Sequence, residues 1–167
     1  LFPYTTLFRS ERLLQQLGGA NGSLETLGLR IATGYTASKI LWFKTHHPAL
    51  WAQLHTVLLP HDYLNFWLTG ERVAEYGDAS GTGLFDVRTR RWSKTAVDLI
   101  DDSGRLWQAL PPLKSAECCI GTVRPAAAEK LGLGPAVRVS TGGGDNMMAA
   151  IGSGNIEAGT LTLSLGT

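Results

Sequence analysis

Apolar residues recur at helical spacing in several stretches of the chain and gather into short buried runs between them, with glycine, proline and hydroxyl residues marking the boundaries. Thr36 or Ser38 can cap a helix through His46 whose apolar positions include Ile40, Leu41 and Phe43, and Pro48 can open a second short helix through Leu54. Val57 to Leu59 reads as a short buried strand. Pro60 to Leu68 reads as a helix stopped by Gly70, and the turn-rich residues 78–82 as a loop. A strand is expected at Leu84 to Val87, and Ser93 caps a helix to about Ile100 before Pro111-Pro112 breaks the chain. A strand at Gly121 to Val123, a helix from Pro125 to Leu131 and a strand at Ala136 to Ser140 follow. A glycine turn then leads to a helix at Asp145 to Ile151, and a final strand is expected at Thr160 to Leu165. This alternation predicts an α/β layer architecture, and no internal repeat interrupts it.

The turn between the last predicted strand–helix pair is the chemically richest segment. Thr141-Gly142-Gly143-Gly144-Asp145-Asn146 brings bare backbone N–H groups and a carboxylate to one helix start. Glycine permits close approach of a ligand to the main chain, and the first helical turn offers unpaired donors and partial positive charge, so an anionic or polyhydroxylated ligand fits there. The same field favours the ionised form of Asp145, which can then accept a proton. Asp is equally a common helix cap, so these residues by themselves also suit ordinary scaffold.

Composition narrows the classes. The chain has 167 residues, 44% of them hydrophobic and 17% charged, enough apolar material for one domain-sized core. Lys and Arg number 15 against 14 Asp and Glu, with no basic block, which argues against nucleic acid or a membrane surface as partner and leaves a small molecule. No apolar stretch approaches the roughly 20 residues of a membrane helix and no signal peptide opens the chain, so a cytoplasmic location is expected. The adjacent Cys118 and Cys119 fit neither a redox pair nor a zinc ligand set and are expected to be reduced. Residues 1–10 look like the in-frame translation of a sequencing adapter and are set aside. Doing so leaves 14 basic and 14 acidic residues. The stop at Thr167, in the middle of a glycine turn, makes both ends read as cut.

A run of motifs then carries a resemblance. Gly34-Tyr35-Thr36-Ala37-Ser38-Lys39-Ile40-Leu41-Trp42-Phe43-Lys44-Thr45-His46 resembles the first signature of the FGGY carbohydrate kinases. In family order it is followed by Leu59-Pro60-His61-Asp62-Tyr63-Leu64, Leu68-Thr69-Gly70, Asp78-Ala79-Ser80-Gly81-Thr82, Phe85-Asp86-Val87, Trp92, the glycine-Asp-Asn turn and Leu163-Ser164-Leu165-Gly166-Thr167. His61 stands where the family usually has Lys. The resemblance implies an actin-like ATPase (ribonuclease H-like) fold of two domains. Residues 11–155 would be the later part of the first, sugar-binding domain, and residues 156–167 the start of the second, ATP-binding one. It implies a transferase that phosphorylates a sugar with ATP and Mg2+, D-xylulose to D-xylulose 5-phosphate fitting best. Asp145 would be the general base, Asp145 and Asn146 the sugar contacts, and Gly166 and Thr167 the start of a phosphate-binding loop. No protein-borne metal ligand is implied, a homodimer of the full-length protein is compatible, and the chain alone is expected to be inactive.

Gly34 stands where glycerol kinases commonly carry a Tyr that contacts the polyol, which favours a pentulose; ribulose, gluconate and glycerol kinases and a non-catalytic actin-like sugar-binding protein are the alternatives. A dinucleotide-binding oxidoreductase would need G-x-G-x-x-G at the turn, and Asp145 interrupts that pattern. Other polar residues read as structural. His46 and His47 form a solvated helix end, and Asp78 and Asp86 bond nearby backbone. Lys39 packs its stem on Trp42, and Asp62 caps its helix.

Overall fold

The computed structural model describes residues 10–134 and 136–163. Residues 10–16 form helix α1, and Gly19–Leu27 form α2. Neither was expected from the sequence pattern. The Gly-rich α2 has no side-chain cap; the buried Ser23 ties it to the following loop, its hydroxyl donating to the Leu29 carbonyl and accepting from the Ile31 amide. Helix α3 (Thr36–His46) has the expected extent, but Tyr35 rather than Thr36 or Ser38 is its N-cap, without a side-chain cap, and the Ser38 hydroxyl donates back to the Tyr35 carbonyl; α4 (Pro48–Trp51) is shorter than expected. Beyond Trp51 the amides of Gln53 and Leu54 bond three residues back, to Leu50 and Trp51, so the last turn tightens and ends the helix.

The strand expected at Val57 to Leu59 is absent. The Val57 amide reaches the Ala109 carbonyl, but no ladder continues from that bond. Helix α5 (Pro60–Thr69) begins with proline in its first turn and ends at Gly70, which takes the left-handed conformation (φ 88°) and donates to the Phe66 carbonyl. Strand β1 (Ala74–Glu75) leads directly into a one-turn helix, α6 (Tyr76–Ser80), where a loop was expected. The cause is local, since the Glu75 carboxylate accepts the Asp78 amide at 2.9 Å and so caps the turn. Strands β2 (Phe85–Asp86) and β3 (Arg91–Trp92) pair antiparallel, and Asp86 closes the hairpin by accepting from Arg88 and Thr89, as its turn chemistry predicts. Ser93 caps α7 (Lys94–Asp98) as expected.

Helix α8 (Arg105–Ala109) precedes the double proline, and β4 (Leu113–Lys114) after it pairs parallel with β1. Strand β5 (Cys119–Thr122) pairs antiparallel with β6 (Arg138–Ser140), and α9 (Pro125–Leu131) lies between them. Helix α10 (Asp145–Gly152) completes the described elements. The final strand expected at Thr160 to Leu165 is not formed over residues 161–163; Ser164 to Thr167 lie outside the described residues, as do residues 1–9 of the adapter-like segment. Both cysteines are free thiols. Among the described residues no helix is long and apolar enough to cross a membrane.

Two buried clusters hold this mixed α/β arrangement together. The larger one joins Leu13, Leu27, Ile40, Leu84, Val97 and Leu106, so the unexpected α1, α2 and α8 all supply core residues. Burying each such side chain contributes roughly 1.5–3 kcal/mol before entropy is subtracted. The smaller one packs Val123, Ala127 and Ala128 against Trp67, Leu68 and Val139, locking α9 and β6 onto α5. An ion pair pins the larger cluster, Lys44 reaching the 2%-exposed Asp101 at 2.8 Å and the Ile100 carbonyl at 2.7 Å. Asp101 also accepts the Leu106 amide and the Ser103 hydroxyl. Burial pushes the Asp101 carboxyl up, but Lys44, the Leu106 amide and Ser103 together outweigh it and hold the group below the usual carboxylate range.

Candidate functional site

Strand β6 delivers the chain to Thr141, which is completely buried. Its amide and hydroxyl both donate to the Cys118 carbonyl, at 2.8 and 3.0 Å. Its own carbonyl accepts from two residues one helical turn apart on α5, His61 through Nε2 at 2.6 Å and Asn65 through Nδ2 at 2.7 Å. The next residue, Gly142, donates to the Ala116 carbonyl. The entry to the glycine turn is therefore held on three sides.

The three glycines differ in how strictly they must lack a side chain. At Gly142 the backbone is left-handed (φ 74°) and a Cβ would stand 3.0 Å from His61 Nε2. A Cβ on Gly143 would meet the Met148 methyl at 2.9 Å with a Glu75 oxygen 3.8 Å away, and one on Gly144 would lie 3.4 Å from an Asp78 oxygen. Gly142→Ala is expected to destabilise the chain by about 1–2 kcal/mol through the left-handed backbone and the crowding of His61. Gly143→Ala should cost less, because its backbone is not left-handed and a methionine methyl can move aside. Urea unfolding of the two variants checks the order; equal midpoints would show that the turn is not held as described.

Beyond the turn, Gly144 is the N-cap of α10 and Asp145 its first residue. Asp145 and Asn146 are both exposed, and the Asn146 amide donates to Asp145 Oδ1 at 2.7 Å. The structure thus brings both predicted sugar-side residues to one solvent-facing helix start. The surroundings are acidic, with Glu75 and Asp78 facing the glycines. Carboxylates accept hydrogen bonds from hydroxyl groups and repel phosphates, so the spot suits a polyol better than an anion. Gly166 and Thr167, the expected phosphate-binding residues, lie outside the described residues.

Sequence reasoning missed how α5 and α6 contribute. Asp62 does cap its helix, Oδ2 accepting the Leu59 amide at 3.1 Å, but it is also 1% exposed. Burial pushes its carboxyl up to about 6, against the opposing pull of the Leu59 amide and His61. Asp78 does not serve as a plain turn residue, because its carboxylate faces the glycine turn and His61. His61 itself, where a Lys was the family expectation, was the available signal. By contrast, His46 and His47 are exposed, with Trp42 stacked on His46 at 4.9 Å and edge-on to His47 at 5.1 Å.

With this geometry in place, residues 9–152 match the N-terminal domain of the FGGY family of carbohydrate kinases. The chain belongs to that family. A xylulose kinase of Haemophilus influenzae is 47% identical over 162 residues, which cover 97% of this chain and 33% of that protein. Among solved structures, the xylulose kinase from Rhodospirillum rubrum superposes with a TM-score of 0.81 at 25% identity, over 92% of this chain and 31% of the other. Glycerol kinase of Plasmodium falciparum, at 22% identity and TM-score 0.73 over 86% of this chain and 29% of its own, shares the fold of this FGGY domain. The chain spans about a third of the length of the curated relatives it matches.

Proposed function

We propose that this chain is the sugar-side segment of an ATP-dependent FGGY kinase that converts D-xylulose to D-xylulose 5-phosphate. The observation that supports this reading best is 47% identity to a xylulose kinase across nearly the whole chain, joined to a glycine turn that presents Asp145 and Asn146 among carboxylates.

In this mechanism Asp145 accepts the proton of the attacking sugar hydroxyl as its oxygen bonds to the γ-phosphorus of ATP. The bond from that phosphorus to the β–γ bridging oxygen breaks, and ADP leaves with the electron pair. Asn146 holds the sugar so that the hydroxyl lies in line, and positioning of this kind carries most of the catalysis in phosphoryl transfer. Mg2+ would neutralise charge on the ATP phosphates. No described residue is assigned to it or to the nucleotide, because the carboxylates around the turn do not suit phosphate and Gly166 and Thr167 are not described. Residues 156–167 begin the ATP-binding domain in this reading. That domain would cover the apolar residues Met147 and Ile151 of α10, which are exposed here.

A coupled assay of ADP release tests the proposal. The full-length protein with ATP is expected to show its highest kcat/KM on D-xylulose among xylulose, ribulose, gluconate and glycerol. The 167-residue chain by itself is expected to show no xylulose-dependent release. A preference of about tenfold or more for another of these substrates would overturn the assignment to xylulose.

A further inference from the structure

Behind the glycine turn, three side chains from α5 and α6 converge on one point. His61 Nδ1 lies 3.4 Å from Asp62 Oδ1 and 3.5 Å from Asp78 Oδ2, and one ligand atom from each residue fits within 4.8 Å of the others. His61 Nδ1 and Asp62 Oδ1 are buried and make no hydrogen bond. The other half of each group is occupied. Asp62 Oδ2 accepts the Leu59 amide, and His61 Nε2 meets the Thr141 carbonyl, which can only accept. Nε2 therefore carries a proton, and in the neutral ring Nδ1 presents a lone pair to two carboxylates. Apart from the Glu75 amide, which favours the charged Asp62 without bonding Oδ1, three acceptors face each other, and a cation is what such a point calls for.

The spacing distinguishes which cation. An imidazolium bonded directly to a carboxylate sits at about 2.7–2.9 Å, shorter than either Nδ1 contact. Two ligands of a tetrahedral ion with bonds of about 2.0–2.1 Å stand roughly 3.3–3.4 Å apart, close to both; the two carboxylates, within 4.8 Å of each other, have to draw together as the ion binds. The Nε2 bond to a backbone carbonyl is also the outer support that metal-bound histidines commonly have, since it sets the tautomer and aims the other nitrogen. Two carboxylates balance a divalent charge, and an imidazole ligand favours zinc-like ions over Mg2+ or Ca2+.

We propose that His61, Asp62 and Asp78 form a three-ligand site for a divalent transition-metal ion of the zinc class, with a fourth position open toward the 28%-exposed Asp78. The bound ion ties α5 to α6 and, through the His61 bond to Thr141, to the end of β6 from which the glycine turn departs. The site is separate from ATP and its Mg2+ and stands whether or not the proposed sugar reaction is correct.

The test uses the metal-stripped chain with Cys118 and Cys119 changed to Ser, so that no thiolate competes. Titration with Co2+ should produce visible ligand-field bands of four-coordinate intensity, saturating at one ion per chain and displaced by Zn2+. His61→Lys places a cation in the pocket without a metal-binding nitrogen, and Asp78→Asn keeps the shape without the charge. Each should weaken Zn2+ binding by more than the about 10- to 100-fold that loss of an outer-shell partner costs. Asp98→Asn, at a surface pair with Lys94, should change nothing. Circular dichroism confirms that each variant is folded. Absence of visible bands, or Zn2+ binding that survives both His61→Lys and Asp78→Asn, would overturn the site; in the first case a proton rather than a metal sits between these groups.

Discussion

In the full-length protein, Asp145→Asn is expected to lower kcat on D-xylulose by about 10² to 10⁴, the range of general-base catalysis, with the Kd for the sugar changed by no more than a few fold. Asn keeps the shape of the side chain and an oxygen to accept the Asn146 amide, so the helix start is preserved. What it loses is the capacity to take up a proton from the attacking hydroxyl. Coupled ADP release gives kcat, and calorimetric titration with sugar alone gives Kd. Turnover within a few fold of the unmodified enzyme would remove Asp145 from the proton transfer. Equal losses in kcat and in sugar affinity would instead make it a binding residue only.

The second large effect is expected far from the turn. Asp101→Ala should destabilise the chain by about 3 kcal/mol, the low end of what breaking a buried ion pair costs, because Lys44 stays 31% exposed and can rehydrate. The variant also strips the Leu106 amide and the Ser103 hydroxyl of their acceptor, which places the damage at the start of α8. Its pH dependence has a definite sign. The folded-state carboxyl lies below its ordinary value of 3.8, so its stabilising contribution is complete above that pH and is lost as pH falls through the lower folded value. The gap between the two unfolding curves in urea should therefore be constant near neutrality and close in acid. A gap that persisted at low pH would mean that packing, rather than the charge, was lost.

The elements that could be read from sequence are those whose start and stop signals are local. Ser93 before α7, Pro60 and Gly70 at the ends of α5, Pro125 opening α9 and the glycines before α10 all act within a turn of the helix they delimit. The missed helices depend on partners outside that range. Helix α8 opens after a glycine, and its Leu106 amide is taken by Asp101, five residues upstream and beyond normal capping distance. Helix α2 has poor formers and no side-chain N-cap, and it persists because Ser23 and Leu27 are buried. The same division runs through the site. Asp145 and Asn146 follow from a turn contiguous in sequence, whereas the approach of Asp62 and Asp78 to His61 depends on packing between α5 and α6, and no spacing rule encodes it. The missing Lys at position 61 marked the place without showing what gathers there.

The anchoring of Thr141 has a consequence for how the protein is made. Its carbonyl is held by Asn65 and His61, 76 and 80 residues earlier in the chain. A contact across such a loop cannot form until the intervening chain has been synthesised and its closure entropy met. During translation α5 must wait, its two donors satisfied by water, while everything from β1 to β6 emerges. The larger core, whose members end at Leu106, can consolidate well before then. The segment that presents Asp145 is thus completed late, after the residues of the main core have left the ribosome.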